Sequence, residues 1–394
     1  MQSSKPMRFS PLVARIRGDG ADAWVTHYEA AAARNRGEDV ILLSVGDPDL
    51  EAPAAVIERA IAGLRARDIH YTPASGRLPL LEAIAAAHTA RTGQAVSSEN
   101  VVYLSGAQNA LFVASMCLAG PGDEVITFDP MYATYPATIA ASGARMIRAA
   151  TGAGFRPDIG ALESLVTPRT RALFWASPGN PSGVIINQAE LGAIAEIARR
   201  HDLWLVSDEV YAGLAPGGRV PSLAAMLPER VVTISSLSKS HSLPGLRAGW
   251  LVGPRELAAH AQALVMCMLF GLPGFIQEAV MTALSEAAEA ERRVREFCNA
   301  RRERLLAGLH GISGIRATVP EAGMFMLVDV TGTGLSAFEF MRALYERQRV
   351  SVMDGAAFGE RTRRFVRICF ATEAATIDAA CARIRRFCER ELPR

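Results

Sequence analysis

The sequence has almost no lysine. Of its 42 basic residues only Lys5 and Lys239 are lysines, and all the others are arginines. Arginine can replace lysine wherever a solvent-facing positive charge is enough, but a guanidinium stays protonated and cannot act as a nucleophile. Lys239 follows the apolar run 231–234 and lies among hydroxyl groups and glycine. This setting indicates that the amine of Lys239 takes part in chemistry; the alternative is an ordinary surface lysine.

Other absences narrow the class of protein. The six cysteines include no Cys-x-x-Cys pair, which in a chain of 394 residues indicates a reducing compartment such as the cytoplasm. The most apolar window, 264–276, is interrupted by glycine and proline and is too short to span a bilayer. The first dozen residues hold no apolar block, so we expect no secretory signal.

The charge pattern points to small molecules as partners. The formal net charge is only +2, and charges of both signs are spread along the chain. We therefore expect no nucleic-acid partner and no membrane surface as a partner.

Short β-rich runs alternate with helical patterns from residue 41 to residue 253. This alternation predicts an α/β fold with a mainly parallel sheet and helices on both faces, whose ligands lie at the carboxyl ends of the strands. The predicted strands are 41–45, 101–104, 124–128, 172–176, 203–207, 231–235 and 248–252. The helical patterns between them include 78–91, 108–118, 132–142 and 188–200.

The pattern changes after Gly253. A long helical region runs over 255–309 with a break near Pro273. It is followed by a smaller α/β unit with predicted strands at 324–330, 350–353 and 364–370 and predicted helices at 336–347 and 376–391. We expect a large domain over 48–287 and a small C-terminal domain over 288–394. The N-terminal segment 1–47 is expected to pack with the small domain.

Three polar motifs follow predicted strands. Residues 104–108 run through Gly106 into a helix, whose amides suit a phosphate, although an ordinary β–α turn has the same pattern. Residues 177–183 hold an Asn-Pro turn around Asn180, a turn that any protein could use. Asp208 ends a very apolar strand, where its carboxylate needs a cation or a hydrogen-bond donor; an N-cap is the alternative.

Two further motifs add aromatic and cationic groups. Tyr132 and Tyr135 follow the strand 124–128, where either could be a core residue. Arg367 places a guanidinium within an apolar strand, which suggests bidentate capture of a carboxylate, with a structural ion pair as the alternative.

In this order the motifs resemble the class I and II aminotransferases, which depend on pyridoxal 5'-phosphate and have the type I fold of aspartate aminotransferase. The core of the resemblance is Ser-x-Ser-Lys at 236–239 followed by Pro-Gly-x-Arg-x-Gly at 244–249. The runs 236–241, 267–271 and 323–325 resemble the arginine–pyruvate transaminase branch. The resemblance implies a ping-pong transfer of the α-amino group of an L-amino acid to a 2-oxo acid. For the arginine–pyruvate branch, the donor would be arginine and the acceptor pyruvate.

The resemblance also assigns roles around the cofactor ring. Lys239 would bind the cofactor covalently and then move a proton, and Asp208 would keep the pyridine nitrogen protonated. Tyr211 and Asn180 would hydrogen-bond the phenolic oxygen of the ring, and Tyr132 would stack on its face.

The cofactor's phosphate has its own implied set of residues. The resemblance assigns it to Arg247, Ser236 and the turn formed by Gly106, Ala107 and Gln108. Tyr71 matches a tyrosine that reaches the phosphate from the neighbouring subunit, so a homodimer is implied.

For the substrate, the resemblance implies that Arg367 binds the α-carboxylate, with Gly46 and Asn180 beside it. The sequence departs from the family pattern at Pro178-Gly179, where Asn-Pro is usual. The loop 271–274 offers no charged side chain, which argues against dicarboxylate substrates.

Two alternatives stay open at the level of sequence. A β-lyase on the same fold would use the same cofactor and the same carboxylate-binding arginine. A more remote alternative is an NAD-dependent oxidoreductase, because residues 332–337 fit a loose Gly-x-Gly-x-x-Ala dinucleotide motif.

Overall fold

A computed structural model describes residues 7–17 and 24–392. The strands are, in chain order, β1 Ile41–Leu42, β2 Val101–Ser105, β3 Glu124–Asp129, β4 Arg145–Ala150, β5 Thr170–Ala176, β6 Trp204–Asp208, β7 Val231–Ser236, β8 Ala248–Val252, β9 Arg316–Ala317, β10 Phe325–Asp329, β11 Val350–Ser351, β12 Met353–Asp354 and β13 Phe365–Cys369. The helices are α1 Pro11–Arg17, α2 Val25–Asn35, α3 Ala54–Arg65, α4 Leu78–Thr92, α5 Gly106–Leu118, α6 Tyr135–Ser142, α7 Ile159–Ser164, α8 Gln188–His201, α9 Leu237–Ser240, α10 Arg255–Met268, α11 Gly274–Ser285, α12 Ala287–Leu309, α13 Ala337–Gln348 and α14 Ala374–Arg386.

The largest sheet has seven strands in the order β2-β8-β7-β6-β5-β3-β4. Strands β7, β6, β5, β3 and β4 are parallel neighbours, whereas β8 runs antiparallel between β2 and β7. The predicted α/β fold with a mainly parallel sheet is confirmed. This topology brings the carboxyl ends of β5, β6 and β7 to one edge.

Helices cover both faces of this sheet. Successive residues of a strand point to opposite faces, so Val125 packs with α5, α6 and α10, while Ile126 packs with α7 and α8. Near β2 and β8, helices α4 and α11 cover the second face. Two buried faces explain why these strands are continuous apolar runs in the sequence.

The C-terminal part of the chain forms a second, four-stranded antiparallel sheet in the order β12-β13-β10-β9. The N-terminal strand β1 pairs in parallel with β11, and Ile41 and Leu43 lie in the same core as Phe340 and Val350. The N-terminal segment therefore contacts the C-terminal unit. The division of the chain at residues 48 and 288 stays a prediction.

The structure differs from the sequence-based expectation at several strands and one helical region. The predicted strand 350–353 divides into β11 and β12, which belong to different sheets, and the predicted strand 41–45 is only the two-residue β1. Strand β4 was not predicted, because it is an edge strand with mostly exposed or half-buried side chains and two arginines. The two-residue strand β9 is too short to give a pattern. The helical region 255–309 consists of three helices, with the first break at 269–273 and a second at Glu286. Within the described ranges, no helix has the length and hydropathy needed to cross a bilayer.

Candidate active site

A cleft of about 130 Å³ lies at the edge where β5, β6 and β7 end. Each of these strands leads into a loop that carries one of the motifs singled out from the sequence. The cleft is lined by Ala107, Gln108, Leu111, Tyr132, Ala176, Asn180, Asp208, Val210, Tyr211, Ser236, Ser238, Lys239, Pro244 and Arg247. Most of the residues predicted for the cofactor therefore lie together.

Lys239 enters the cleft from α9, the single helical turn that follows β7. Its Nζ donates a hydrogen bond to the carbonyl oxygen of Gly46. Burial lowers the pKa of the Lys239 amine, and the positive charges of Arg367 and Arg247 contribute to the same lowering. A lowered pKa leaves a larger share of this amine unprotonated and therefore nucleophilic at neutral pH.

Asp208 lies at the carboxyl end of β6 and is almost completely buried. Its Oδ1 accepts a hydrogen bond from the backbone N of Val210 at 3.2 Å, and its Oδ2 lies 3.5 Å from the Tyr135 hydroxyl. Among the described residues no arginine, lysine or histidine forms an ion pair with it. Burial raises the pKa of Asp208 to about 7. The carboxylate therefore lacks the cation that would compensate for its burial.

Arg367 lies on β13 and is 3 % exposed. Nη1 donates to Asn180 Oδ1 at 2.9 Å and Nη2 donates to the carbonyl oxygen of Ser44 at 2.6 Å, while Nε has no hydrogen-bond partner among the residues that the structure describes. The guanidinium lies between the rings of Phe325 and Phe358, at 4.0 and 4.6 Å from their centroids.

No carboxylate pairs with Arg367 within residues 7–17 and 24–392, so the alternative of a structural ion pair finds no support there. Burial lowers the pKa of Arg367 to about 10, which still leaves it positively charged at neutral pH. A buried guanidinium with free donors is suited to an incoming carboxylate.

Asn180 and Tyr211 link the two charged regions. Asn180 Nδ2 donates to the Tyr211 hydroxyl at 3.4 Å, while its Oδ1 is held by Arg367. Burial raises the pKa of Tyr211, so its hydroxyl keeps its proton and can also donate. Both side chains can therefore donate a hydrogen bond to an oxygen atom of a ligand bound in this cleft.

The opposite end of the cleft is built for an anion. Helix α5 begins at Gly106 without a side-chain cap, so the first amides of the helix, including those of Ala107 and Gln108, have no partner within the helix. Gly106 has φ +80°, and a Cβ there would collide with the Arg247 guanidinium. Arg247 donates to two carbonyl oxygens, of Pro244 at 3.0 Å and of Ser105 at 3.3 Å.

Close backbone packing makes this anion site possible. A Cβ at Gly249 would overlap the backbone of Gly106 and Ala107, so only glycine lets β8 approach the start of α5. Ser236, at the N-cap of α9, accepts a hydrogen bond from the backbone N of Ser238 at 3.4 Å. The side chain of Gln108 is occupied elsewhere, by Thr134 and Thr138.

Tyr132 lines the cleft and packs edge-on against Tyr135, with ring centroids 5.8 Å apart. Gly46 lies at the amine of Lys239, and a Cβ at this position would collide with the ring of Phe325. The Pro178-Gly179 departure stands just before Asn180 in the turn that contacts Arg367.

Tyr71 does not line the cleft of its own chain. Its side chain is 86 % exposed and packs edge-on against Phe270, with ring centroids 4.9 Å apart. The site residues predicted from the sequence are thus brought together except for Tyr71, which points into solvent.

Sequence reasoning missed Ser44 and Phe358, which contact the guanidinium of Arg367. The Ser44 hydroxyl lies 2.9 Å from both Ser351 Oγ and His27 Nδ1, and the Ser44 carbonyl holds the guanidinium. Phe358 has no motif of its own. The dinucleotide motif at 332–337 does not form a βαβ unit, because β10 pairs only with antiparallel neighbours. The dehydrogenase alternative therefore lacks its structural basis.

The Lys239 amine, the Asp208 carboxylate and the anion site at the start of α5 lie at one end of the seven-stranded sheet, and Arg367 of the four-stranded sheet is connected to the same cleft through Asn180. Residues 38–384 match the family of class I and II aminotransferases, and the chain belongs to this family.

A particular relative is the arginine–pyruvate transaminase of Pseudomonas aeruginosa, which is 44 % identical over 98 % of this chain and 99 % of its own length. Among solved structures, the aspartate aminotransferase of Thermus thermophilus with maleate has a TM-score of 0.91 at 29 % identity, covering 97 % of this chain and 100 % of that one. The aspartate aminotransferase of Rhizobium meliloti also has a TM-score of 0.91 at 29 % identity, over 98 % and 100 % of the two chains.

The residues present fit pyridoxal phosphate. Its phosphate group matches the unpaired amides of α5 and the guanidinium of Arg247, and its pyridine nitrogen offers the cation that Asp208 lacks. Its aldehyde needs a primary amine, and Lys239 is the one lysine in the described part of the chain.

We predict that Asp208→Asn stabilises the cofactor-free protein more at about pH 8 than at about pH 5. In the folded chain the pKa of Asp208 is about 7, above its ordinary value of 3.8, so between these two pH values the folded chain binds a proton that the unfolded chain has released. The stability contributed by Asp208 is complete below the unfolded pKa and is lost as the pH rises through 7. Linkage sets the difference between the two gains at about 3 kcal/mol.

Urea unfolding of the cofactor-free proteins at both pH values measures these gains. The exposed Asp202→Asn is the matched control, and its effect should not depend on pH in this way. Equal gains for Asp208→Asn at the two pH values would contradict the assigned burial of an unpaired carboxylate.

Proposed function

We propose that the enzyme transfers the α-amino group of L-arginine to pyruvate. The observation that carries the proposal is the 44 % identity, over nearly the full length of both chains, with the arginine–pyruvate transaminase of Pseudomonas aeruginosa. The uncharged segment 271–274 supports it, because a guanidinium for a second substrate carboxylate is missing from that segment.

Pyridoxal phosphate, when bound, supplies a carbonyl carbon for the amino group and a ring that delocalises the electron pair left on the substrate Cα. Asp208 would hold a proton on the ring nitrogen and would thereby gain the cation it lacks. Tyr211 and Asn180 would donate to the phenolic oxygen, and Tyr132 would pack on the ring. The start of α5, Ser236 and Arg247 would hold the phosphate.

Arg367 binds the α-carboxylate of the amino acid through Nε and the other N–H groups that its contacts to Asn180 and Ser44 leave free, and Asn180 orients the guanidinium. This contact places the substrate Cα beside Lys239 and Gly46. Lys239 Nζ takes the proton from Cα and holds it for return, and its lowered pKa suits it to act first as a base.

We further propose that the enzyme is a cytoplasmic homodimer in which Tyr71 reaches the phosphate site of the partner subunit. The 86 % exposed ring of Tyr71, packed on the half-exposed ring of Phe270, supports this arrangement. An aromatic pair of this kind is unusual on a surface that stays in water.

The substrate assignment is tested by incubating the cofactor-loaded enzyme with pyruvate and a panel of amino acids. We expect L-arginine to give the fastest formation of alanine, and aspartate to be a poor donor. A higher rate with another donor would contradict the assignment. Release of ammonia and pyruvate from a cysteine conjugate, without any oxo acid acceptor, would instead identify the β-lyase as the main activity.

Arg367→Met should raise the KM of the amino donor by about 100-fold, because losing a buried charge-assisted contact costs on the order of 3 kcal/mol. Initial rates over a range of donor concentrations give kcat and KM separately. Arg364→Met, which removes an exposed arginine just before β13, is the control and should leave KM unchanged. An unchanged KM in Arg367→Met would remove its role in carboxylate binding.

Tyr71→Phe should weaken the binding of pyridoxal phosphate about tenfold, the usual effect of losing one hydrogen bond to a charged group. Equilibrium titration of the cofactor measures this, with the exposed Tyr28→Phe as control. Sedimentation should give twice the chain mass for all three proteins. A monomer with full cofactor affinity would contradict the dimer and its shared site.

A further inference from the structure

The helix that carries Lys239 is very short. Helix α9 has only four residues, and one turn of helix does not hold its own conformation without outside contacts. The N-cap hydrogen bond, which the backbone N of Ser238 donates to Ser236 Oγ, is long at 3.4 Å. Another contact must therefore keep the lysine at the correct place and angle.

Ser240 and His241, the two residues after Lys239, supply such a contact. Both are buried, and the Ser240 hydroxyl lies 2.7 Å from His241 Nδ1. His241 Nε2 lies 3.2 Å from the carbonyl oxygen of Ala283. A carbonyl only accepts hydrogen bonds, so Nε2 carries the proton, and Nδ1 accepts the proton of the Ser240 hydroxyl.

The other end of this contact is rigid. Ala283 belongs to α11, which packs against α3 and α4 and buries Ala279 and Val280 in the same core as Leu237. The helix also holds Gln277, whose side chain donates to Thr72 Oγ1 and to the Leu272 carbonyl. The histidine therefore ties the one-turn helix to a long, well-packed one.

The protonation state of His241 does not change near neutral pH. Burial lowers its pKa to about 4, the Ala283 carbonyl opposes this, and the positive charge of Arg91 adds to the lowering. Arg91 is itself paired with Glu291 on α12. The imidazole therefore stays neutral around pH 7, and both hydrogen bonds are maintained there.

We propose that Ser240 and His241 are positioning residues for Lys239: the neutral imidazole fastens α9 to α11 and thereby sets the orientation of the amine. The inference rests on the role proposed for Lys239. It adds two residues that touch neither cofactor nor substrate to the machinery of the reaction.

The scarcity of lysine allows a direct test. Lys5→Arg leaves Lys239 as the one lysine in the whole chain, so lysine labelled with ¹³C at Cε gives a single side-chain NMR signal. The cofactor-free parent should show one narrow signal whose titration midpoint lies below 10.5.

His241→Phe, in the Lys5→Arg protein, keeps a buried ring and removes both hydrogen bonds. We expect the Lys239 signal to broaden or split and its midpoint to move up towards 10.5, because the freed turn exposes the amine to water. The rate constant for capture of pyridoxal phosphate should fall about 10- to 100-fold. His241→Gln, whose amide can still donate to the Ala283 carbonyl, should recover part of the loss.

His88→Phe is the matched control. His88 is also a buried histidine, with Nε2 2.8 Å from Gln94 Oε1 and a pKa that burial lowers, but it lies on α4 away from the cleft. It should lower Tm without changing the Lys239 signal. If His241→Phe does not fold, Ser240→Ala makes the smaller change and should shift the signal in the same direction.

Two results separate the possible failures. An unchanged Lys239 midpoint and line width in the folded His241 and Ser240 variants would overturn the positioning role. Borohydride reduction of the loaded parent, followed by peptide mapping, tests the proposed function itself. A pyridoxyl group found anywhere other than Lys239 would refute that function whatever the NMR signal does.

Discussion

The burial of two opposite charges that do not meet is the constraint on which this structure depends. Asp208 and Arg367 are each about 3 % exposed, yet neither forms an ion pair with any described residue. Burying an uncompensated charge costs several kcal/mol, and two such charges would neutralise each other if the chain let them approach. Asn180, which accepts a hydrogen bond from Arg367 and donates one to Tyr211, lines the same cleft as Asp208. The protein keeps both charges free for a ligand that brings the missing partners.

The fold separates these charges by placing them on different sheets. Asp208 ends a strand of the seven-stranded sheet, and Arg367 lies within the four-stranded one. A ligand that pairs with both Asp208 and Arg367 therefore also bridges the two sheets. The guanidinium of Arg367 is held in addition by the Ser44 carbonyl of the N-terminal segment. The two unpaired charges lower the free energy of unfolding of the ligand-free chain, and a ligand that pairs with them raises it again.

The sequence predicted the parts of the site that are local anomalies. A lysine in a chain that avoids lysine, a carboxylate after an apolar strand and an arginine inside one each conflict with their surroundings, and the expected parallel sheet brings strand ends together. Ser44 and Phe358 gave no such signal, because one acts through a backbone carbonyl and the other as an ordinary buried ring. Strand β4 was not predicted because most of its side chains are exposed or half-buried and give no apolar pattern. Tyr71 is exposed in the single chain, so its role at the phosphate site of a partner subunit stays a prediction.

The antiparallel insertion of β8 has one more consequence. Because Ser236 of β7 pairs with Gly249 of β8, both ends of the connection between them are fixed on adjacent strands. That connection carries Lys239 and Arg247, so the residues proposed to bind the cofactor's aldehyde and its phosphate lie on one segment between two paired strands. The pairing of β7 with β8 therefore limits how far apart these two side chains can lie.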